Sequence, residues 1–402
     1  MEKYLETPWF GVSTPVQQLR IKTVVKAIYQ HLTRADFTKQ PLSLAGGTTG
    51  ICIFWAQATL YLNQSTQTIM TTYLGDIFNR LADSQFTPGL YSGLCGIGWL
   101  TDYLQINSPQ EDNNNEIDQL LQSLLNQNEI WQGEYELVNG LIGIGVYALA
   151  RNTLGQGNAL LTQVLNQLNK LSVTSEHGIH WVTATDNVNQ QQHNLGLAHG
   201  VPGVVAFLTG VLNKRPELKA TITPLLTAAC QWLKSQVRDD LPVGLYPSNS
   251  ASNQICRIGW CYGDLSNALT LLRAGKILGQ RELVEFALKV ATNSVNRDKS
   301  TFGIRDTAIC HGSAGLVLIY QRLHQLTGNI QFSQEAQYWL EHVLTQAEKD
   351  LETLSGLHAF DGKASNYHQD LSLLEGISGV GLALIAADSD ISPDWDEILL
   401  LS

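Results

Sequence analysis

Residues 196–212 read Gly196-Leu197-Ala198-His199-Gly200-Val201-Pro202-Gly203-Val204-Val205-Ala206-Phe207-Leu208-Thr209-Gly210-Val211-Leu212. A Gly-x-x-Gly step opens directly into an apolar run. The same step stands at Gly47-Thr48-Thr49-Gly50, Gly93-Leu94-Cys95-Gly96 and Gly140-Leu141-Ile142-Gly143. It returns at Gly312-Ser313-Ala314-Gly315 and Gly376-Ile377-Ser378-Gly379, with a degenerate copy at Gly263-Asp264-Leu265-Ser266. First-Gly spacings are 46, 47, 60, 63, 49 and 64 residues. One such step means little, but seven at quasi-regular spacing define a repeat architecture.

Each step precedes a run that is apolar nearly all round, as at 51–62, 204–212, 265–272 and 316–323. Helices of that kind are buried. Between them lie amphipathic segments at 17–33, 69–82, 116–126, 158–170, 221–238, 281–296 and 333–350. Ile117, Leu120, Leu121 and Leu124 show their helical spacing. The pattern predicts an all-α fold, an α/α toroid or double barrel of seven helix-pair repeats, forming one domain over 1–402. An open solenoid is the alternative, and it would need polar capping repeats. The glycines are expected where a loop turns into a buried helix, for unusual backbone angles and close approach. Seven helix N-termini at one end would favour anions. Residues 171–194, with alternating His180-Trp181-Val182-Thr183-Ala184, read as a short β-like insertion. Long polar loops at 239–256 and 352–372 are candidates for binding.

Composition narrows the function. Of 402 residues, 44% are hydrophobic and 15% charged, which is globular. The net charge of -11 argues against a nucleic-acid binder and against docking on anionic lipid by charge alone. It is compatible with a cationic peptide. No apolar run is long enough to span a membrane, and Met1-Glu2-Lys3-Tyr4 lacks the layout of a signal peptide. Direct membrane insertion is therefore not expected. Six cysteines in so long a chain do not form a disulfide scaffold. A cytoplasmic location is expected, with peripheral association at the membrane through a partner complex as a further candidate.

Aligning the repeats superposes the chemistry. The residues before each first Gly are Gly46, Ser92, Asn139, His199, Tyr262, His311 and Glu375. One step earlier stand Ala45, Tyr91, Val138, Ala198, Cys261, Cys310 and Leu374. Both columns should lie at one height. Cys261, Cys310 and His311 then offer two thiolates and an imidazole, a three-ligand set for one zinc ion per chain. The fourth position stays open, as in catalytic sites. Cys256 is the alternative fourth ligand, which would close the site. Cys52, Cys95 and Cys230 read as core, and His193 as a loop residue.

Four segments carry a resemblance to the lanthionine synthetase C-like family. They are Gly196 to Gly203 as quoted above, Gly259-Trp260-Cys261-Tyr262-Gly263-Asp264, Ile309-Cys310-His311-Gly312-Ser313-Ala314-Gly315, and Glu375-Gly376-Ile377-Ser378-Gly379. The family's double ring of seven helices matches the repeat layout over nearly the whole chain. Free-standing members of this size are zinc-dependent peptide cyclases involved in lantibiotic biosynthesis. The resemblance implies addition of cysteine thiols to dehydroalanine or dehydrobutyrine, giving lanthionine and methyllanthionine thioether rings. It implies a dehydrated precursor peptide as partner, with a dehydratase and an exporter as further candidates. His199 matches the general acid/base and Arg257 a basic residue at the site; Tyr262 and Asp264 fall in the matching motif. In the segment Tyr135-Glu136-Leu137-Val138-Asn139-Gly140 the family often has Asp where this chain has Glu136, a carboxylate one methylene longer.

The chemistry fits these residues. A cysteine with an ordinary pKa near 8.5 is only about 3% thiolate at pH 7. Zinc ligation would raise that population at most about 30-fold, on the order of 2 kcal/mol. Attack on the alkene leaves an enolate. Arg257 is placed to meet its oxygen, unless it is a surface residue. His199 is placed to return the proton to Cα. Glu136 would orient His199, unless it faces outward. Two other readings remain: a family enzyme that adds glutathione or another thiol to dehydroamino acids in proteins, and a non-catalytic scaffold or receptor.

Overall fold

The computed structural model describes residues 8–81, 85–106, 112–151, 157–182 and 192–402. The seven buried helices start within the Gly steps: α2 (Thr48–Leu62), α4 (Leu94–Tyr103), α6 (Leu141–Arg151), α8 (Val201–Lys214), α10 (Asp264–Leu278), α12 (Ser313–Thr327) and α14 (Ile377–Asp388). Amphipathic helices alternate with them: α1 (Pro15–Arg34), α3 (Gln67–Leu81), α5 (Asn115–Leu125), α7 (Asn158–Leu171), α9 (Lys219–Ser235), α11 (Arg281–Asn296) and α13 (Ile330–Ala347). Burial follows the sequence pattern. Ile51, Cys52, Ile53, Phe54 and Trp55 of α2 are consecutive and fully buried. Only one stripe of α1, including Ile21, Val24, Val25, Ile28 and Leu32, is covered.

Contacts group the chain into two compact units. Of the described residues, one comprises those within Thr87–Gly303 and Asp396–Ser402; the other comprises those within 8–86 and Ile304–Trp395. In the first, α4, α6, α8 and α10 pack in succession, each against the next. In the second, α12 packs on α14 and α14 packs on α2. The first and last repeats are therefore neighbours, whereas in an open solenoid they are opposite free ends. Trp9 Nε1 donates to Ala386 O at 3.0 Å, and Val12 N donates to Ala387 O at 2.9 Å, fastening the same seam.

The expected insertion holds a hairpin, β1 (Val173–Ser175) against β2 (Gly178–His180), which packs on α9. The rest of its polar stretch, 183–191, lies outside the described residues. A second hairpin, β3 (Ala359–Asp361) with β4 (Asn366–His368), occupies the 352–372 loop.

The head of each buried helix shows why glycine is needed. The first helical N–H bonds a carbonyl seven residues back: Thr48 to Pro41 (2.9 Å), Leu94 to Thr87 (3.0 Å), Leu141 to Glu134 (3.0 Å), Ser313 to Asp306 (3.2 Å) and Ile377 to Asp370 (3.0 Å). These bonds satisfy N–H groups that a helix start leaves orphaned. They also fold the approaching loop over the intervening glycine. A Cβ at Gly47, Gly93, Gly140 or Gly200 would fall inside van der Waals contact with a carbonyl oxygen of that loop. Unusual backbone angles are not the general reason, which corrects the expectation. Gly47, Gly93, Gly200, Gly312 and Gly376 have φ between -144° and -106°, which any residue adopts. Only the degenerate repeat departs, with Gly263 at φ 104°.

Gly93→Ala should therefore cost at least about 2 kcal/mol, because backbone must move to admit the methyl group. Gly75 lies inside α3 with nothing within 4 Å of an added Cβ. Gly75→Ala should instead stabilise by about 0.5–1 kcal/mol through helix propensity. Urea unfolding of both variants beside wild type checks the opposite signs.

Candidate functional site

Backbone bonds tie the residue columns together within each unit. In the first, Tyr91 N donates to Val138 O (3.0 Å), and Leu137 N donates to Ala198 O (3.2 Å). In the second, Cys310 N donates to Leu374 O and Leu374 N donates to Ala45 O, each at 3.0 Å. Neighbouring repeats thus hold equivalent residues at one level, as the alignment predicts.

In the first unit, His199 sits just before the N-cap of α8. Its Nδ1 lies 2.7 Å from Glu136 Oε2. Glu136 is only 5% exposed. Its Oε1 accepts from Asn139 N at 2.7 Å and its Oε2 from Val138 N at 3.0 Å. Both oxygens are thus acceptors, so Nδ1 of His199 carries the hydrogen and Nε2 is left for other work. The longer Glu closes the distance, and it faces inward. The hydrogen bond to Glu136 raises the His199 pKa above the usual histidine value, with burial opposing and the Glu136 charge assisting.

Tyr262 precedes the N-cap of α10. Its hydroxyl accepts from Asn194 Nδ2 at 3.0 Å. Asn194 is itself fixed, because its Oδ1 accepts from Gly196 N at 2.9 Å. The Tyr262 lone pair is engaged while its proton remains a donor. Burial raises the Tyr262 pKa, which keeps that proton on. Arg257 is exposed, and its charge acts on both Tyr262 and Cys256. Asp264 has another task. Its carboxylate, 1% exposed, accepts from Leu245 N and Tyr246 N and so pins the 239–256 loop.

The cysteines separate by environment. None of the six is in a disulfide. Burial pushes the thiols of Cys52, Cys95 and Cys230 far up, as for core residues. Burial also drives Cys256 up to about 12. Cys261 is buried at the head of the α10 loop, and its carbonyl lies against Gly196. His193 is a loop residue, with its backbone N–H on Ser250 Oγ and its ring beside His180 and Trp232.

In the second unit, Cys310 and His311 precede the N-cap of α12 and are partly buried. Asp306 Oδ2 lies 4.0 Å from His311 Nε2. That carboxylate is held by Ala308 N (3.0 Å) and Phe360 N (2.9 Å). Glu375 titrates above the usual carboxylate range because of desolvation, with the His311 charge opposing.

Asn194 and Asp306 were missed at the sequence level. Both stand six residues before a first Gly, as do Thr87, Glu134, Arg257 and Asp370. A third column would have exposed them. Asn194, Asp306 and Asp370 each accept, through the side chain, from the N–H two residues on.

The His199 shift gives a sign. Folding binds the His199 proton more tightly, so its stabilising contribution is complete below the unfolded value of about 6.5. It is lost as pH rises through the folded value. Glu136→Gln should lower the His199 pKa, read as a downfield-to-upfield imidazole titration by NMR, and flatten that part of the stability profile.

Comparison with known proteins follows this geometry. The family model described as Lanthionine synthetase C-like protein matches residues 38–400. A solved structure titled Nisin cyclase is similar at a TM-score of 0.71 and 24% identity, over 94% of this chain and 97% of that one. That likeness bears out the fold class expected from the repeats. Glutathione S-transferase LANCL1 of Danio rerio is 26% identical over 169 residues. The match spans 41% of this chain and 37% of that relative. By the family match over most of its length, the chain belongs to the lanthionine synthetase C-like family.

Proposed function

We propose that this protein is a zinc-dependent lanthionine cyclase, acting on a precursor peptide that carries dehydroalanine or dehydrobutyrine and cysteine. The observation that carries the reading is the Glu136–His199 pair, a buried carboxylate holding an imidazole with Nε2 unspent. Cys261, Cys310 and His311 are the proposed zinc ligands. The donor set of two thiols and an imidazole fits zinc. So does the carboxylate of Asp306 facing one nitrogen of His311, since ligating histidines commonly have such a partner. Zinc bound there would supply deprotonation of the incoming thiol at neutral pH.

The chain's own residues do the rest. A carbon–sulfur bond forms at Cβ of the alkene, and the electron pair moves to the enolate oxygen. Tyr262 and Arg257 are the proposed donors to that oxygen. His199 Nε2–H delivers the proton to Cα, and Glu136 stabilises the charged ring in between. The thiol proton and the proton gained at Cα balance, so no oxidant or reductant is involved.

A second reading is favoured by the similarity to the fish glutathione transferase: the same groups would add glutathione to a dehydroamino acid. The two readings differ in product. Cyclisation consumes a peptide thiol without changing the mass, and the second adds one glutathione.

Purified protein should contain about one zinc per chain, and Cys310→Ala should lose it. His199→Asn should keep the metal and lower kcat by about 10²–10⁴-fold. Mass spectrometry after thiol alkylation reads the product. Absence of zinc from the wild type would defeat the reading. Asn194→Ala should lower kcat about tenfold in the wild-type background and have little effect in Tyr262→Phe. Equal losses in both backgrounds would make Asn194 a purely structural residue.

A further inference from the structure

Helix α1 carries two neighbouring rows on its uncovered face. One row is basic, with Lys22, Lys26 and Arg34 at multiples of four residues. The adjacent row includes Leu19 and Ala27. These residues and Leu351 line a groove of about 690 Å³ within the second unit. Leu19 is 73% exposed, and Leu351 is also open. Among the described residues no carboxylate pairs with Lys22, Lys26 or Arg34. The nearby acids Glu341 and Glu348 are both taken by Arg20, at 2.8 and 2.7 Å. Glu352 is the one acid on the groove wall. Three uncompensated cations against one carboxylate stand out in a chain of net charge -11.

We infer that this groove binds an acidic, amphipathic helical segment of a peptide partner. Carboxylates spaced i, i+4 would meet the basic row. Apolar residues on the next row of the partner would cover Leu19, Ala27 and Leu351. The groove runs along one helix and sets a basic row beside an apolar one, which matches the two faces of an amphipathic rod. None of the proposed reaction residues lines the groove, so this inference stands apart from the reading of the site.

The test uses the full chain and a fluorescein-labelled synthetic helix of about 15 residues, which spans about 22 Å. It carries Glu at i, i+4 and i+12, matching Lys22, Lys26 and Arg34, and Leu on the adjacent row. Fluorescence anisotropy at about 0.1 M salt should show binding, and a peptide with Lys for Glu should not bind. Lys22→Glu/Lys26→Glu should weaken binding about tenfold, since attraction becomes repulsion at two contacts. Lys219→Glu/Lys289→Glu changes the net charge equally on other exposed surface and should stay within about twofold. Circular dichroism confirms that both double variants are folded. Equal losses in the two double variants would overturn the proposal. So would no binding of the acidic helix, or a Lys22/Lys26 dependence seen only with phosphatidylglycerol vesicles.

Discussion

The hydrogen bond from the first N–H of a buried helix to a carbonyl seven residues back governs much of this structure. It caps a helix whose whole circumference is apolar, so no polar side chain need be spent at its head. It also draws the incoming loop into a tight fold over one residue, which must be glycine. Because the bond recurs, the residues just before each glycine present themselves in equivalent places. Chemistry can then be distributed over repeats that are far apart in sequence. His199 and Tyr262 occupy the same repeat position, as do Cys310 and Cys261 one step earlier.

Around the heads of the buried helices, carboxylates are buried chiefly against backbone N–H donors. Glu136 is inside, but two backbone N–H groups and one imidazole satisfy it. Asp306 and Asp264 are treated likewise, each with two backbone partners. A carboxylate held in this way cannot swing away when its neighbour changes protonation. The imidazole of His199 therefore titrates against a fixed partner, which keeps its orientation the same in both charge states.

Much of this was legible in the sequence, because the signals were periodic. Apolar runs after Gly steps marked the buried helices, and stripes at helical spacing marked the amphipathic ones, with ends within a few residues. The columns singled out His199, Tyr262 and the Cys and His donors. What stayed hidden depended on contacts that no spacing reports. Asn194 has a local turn to Gly196 N that a third repeat column would have shown, but its link to the Tyr262 hydroxyl spans 68 residues and no spacing reports it. Glu136 could have faced either way until the turn at 136–139 placed two N–H groups on its oxygens. The glycines were visible, but their reason was misread. Nearly all have ordinary angles, and the crowding comes from a carbonyl that only the folded loop brings close. Asp264, at the head of a motif helix, fell in the matching motif without a role, and the structure shows it anchoring a loop.

The packing of α2 on α14 has a consequence for how the protein is made. Residues of α1 and α2 leave the ribosome long before α13 and α14, yet part of their apolar surface is covered by those two helices. At roughly 5–20 residues per second, the intervening chain takes on the order of 15–60 s to synthesise. Throughout that interval the Phe54 ring lacks the Gly381 face of α14 on which it packs. The loop that must then close is about 300 residues long, a cost that grows only slowly with length. The search is nevertheless slow, as for any non-local pairing. The nascent amino-terminal repeats are thus the part of this chain most exposed to misassociation and to chaperone capture, although in the finished molecule they are among its best-buried segments.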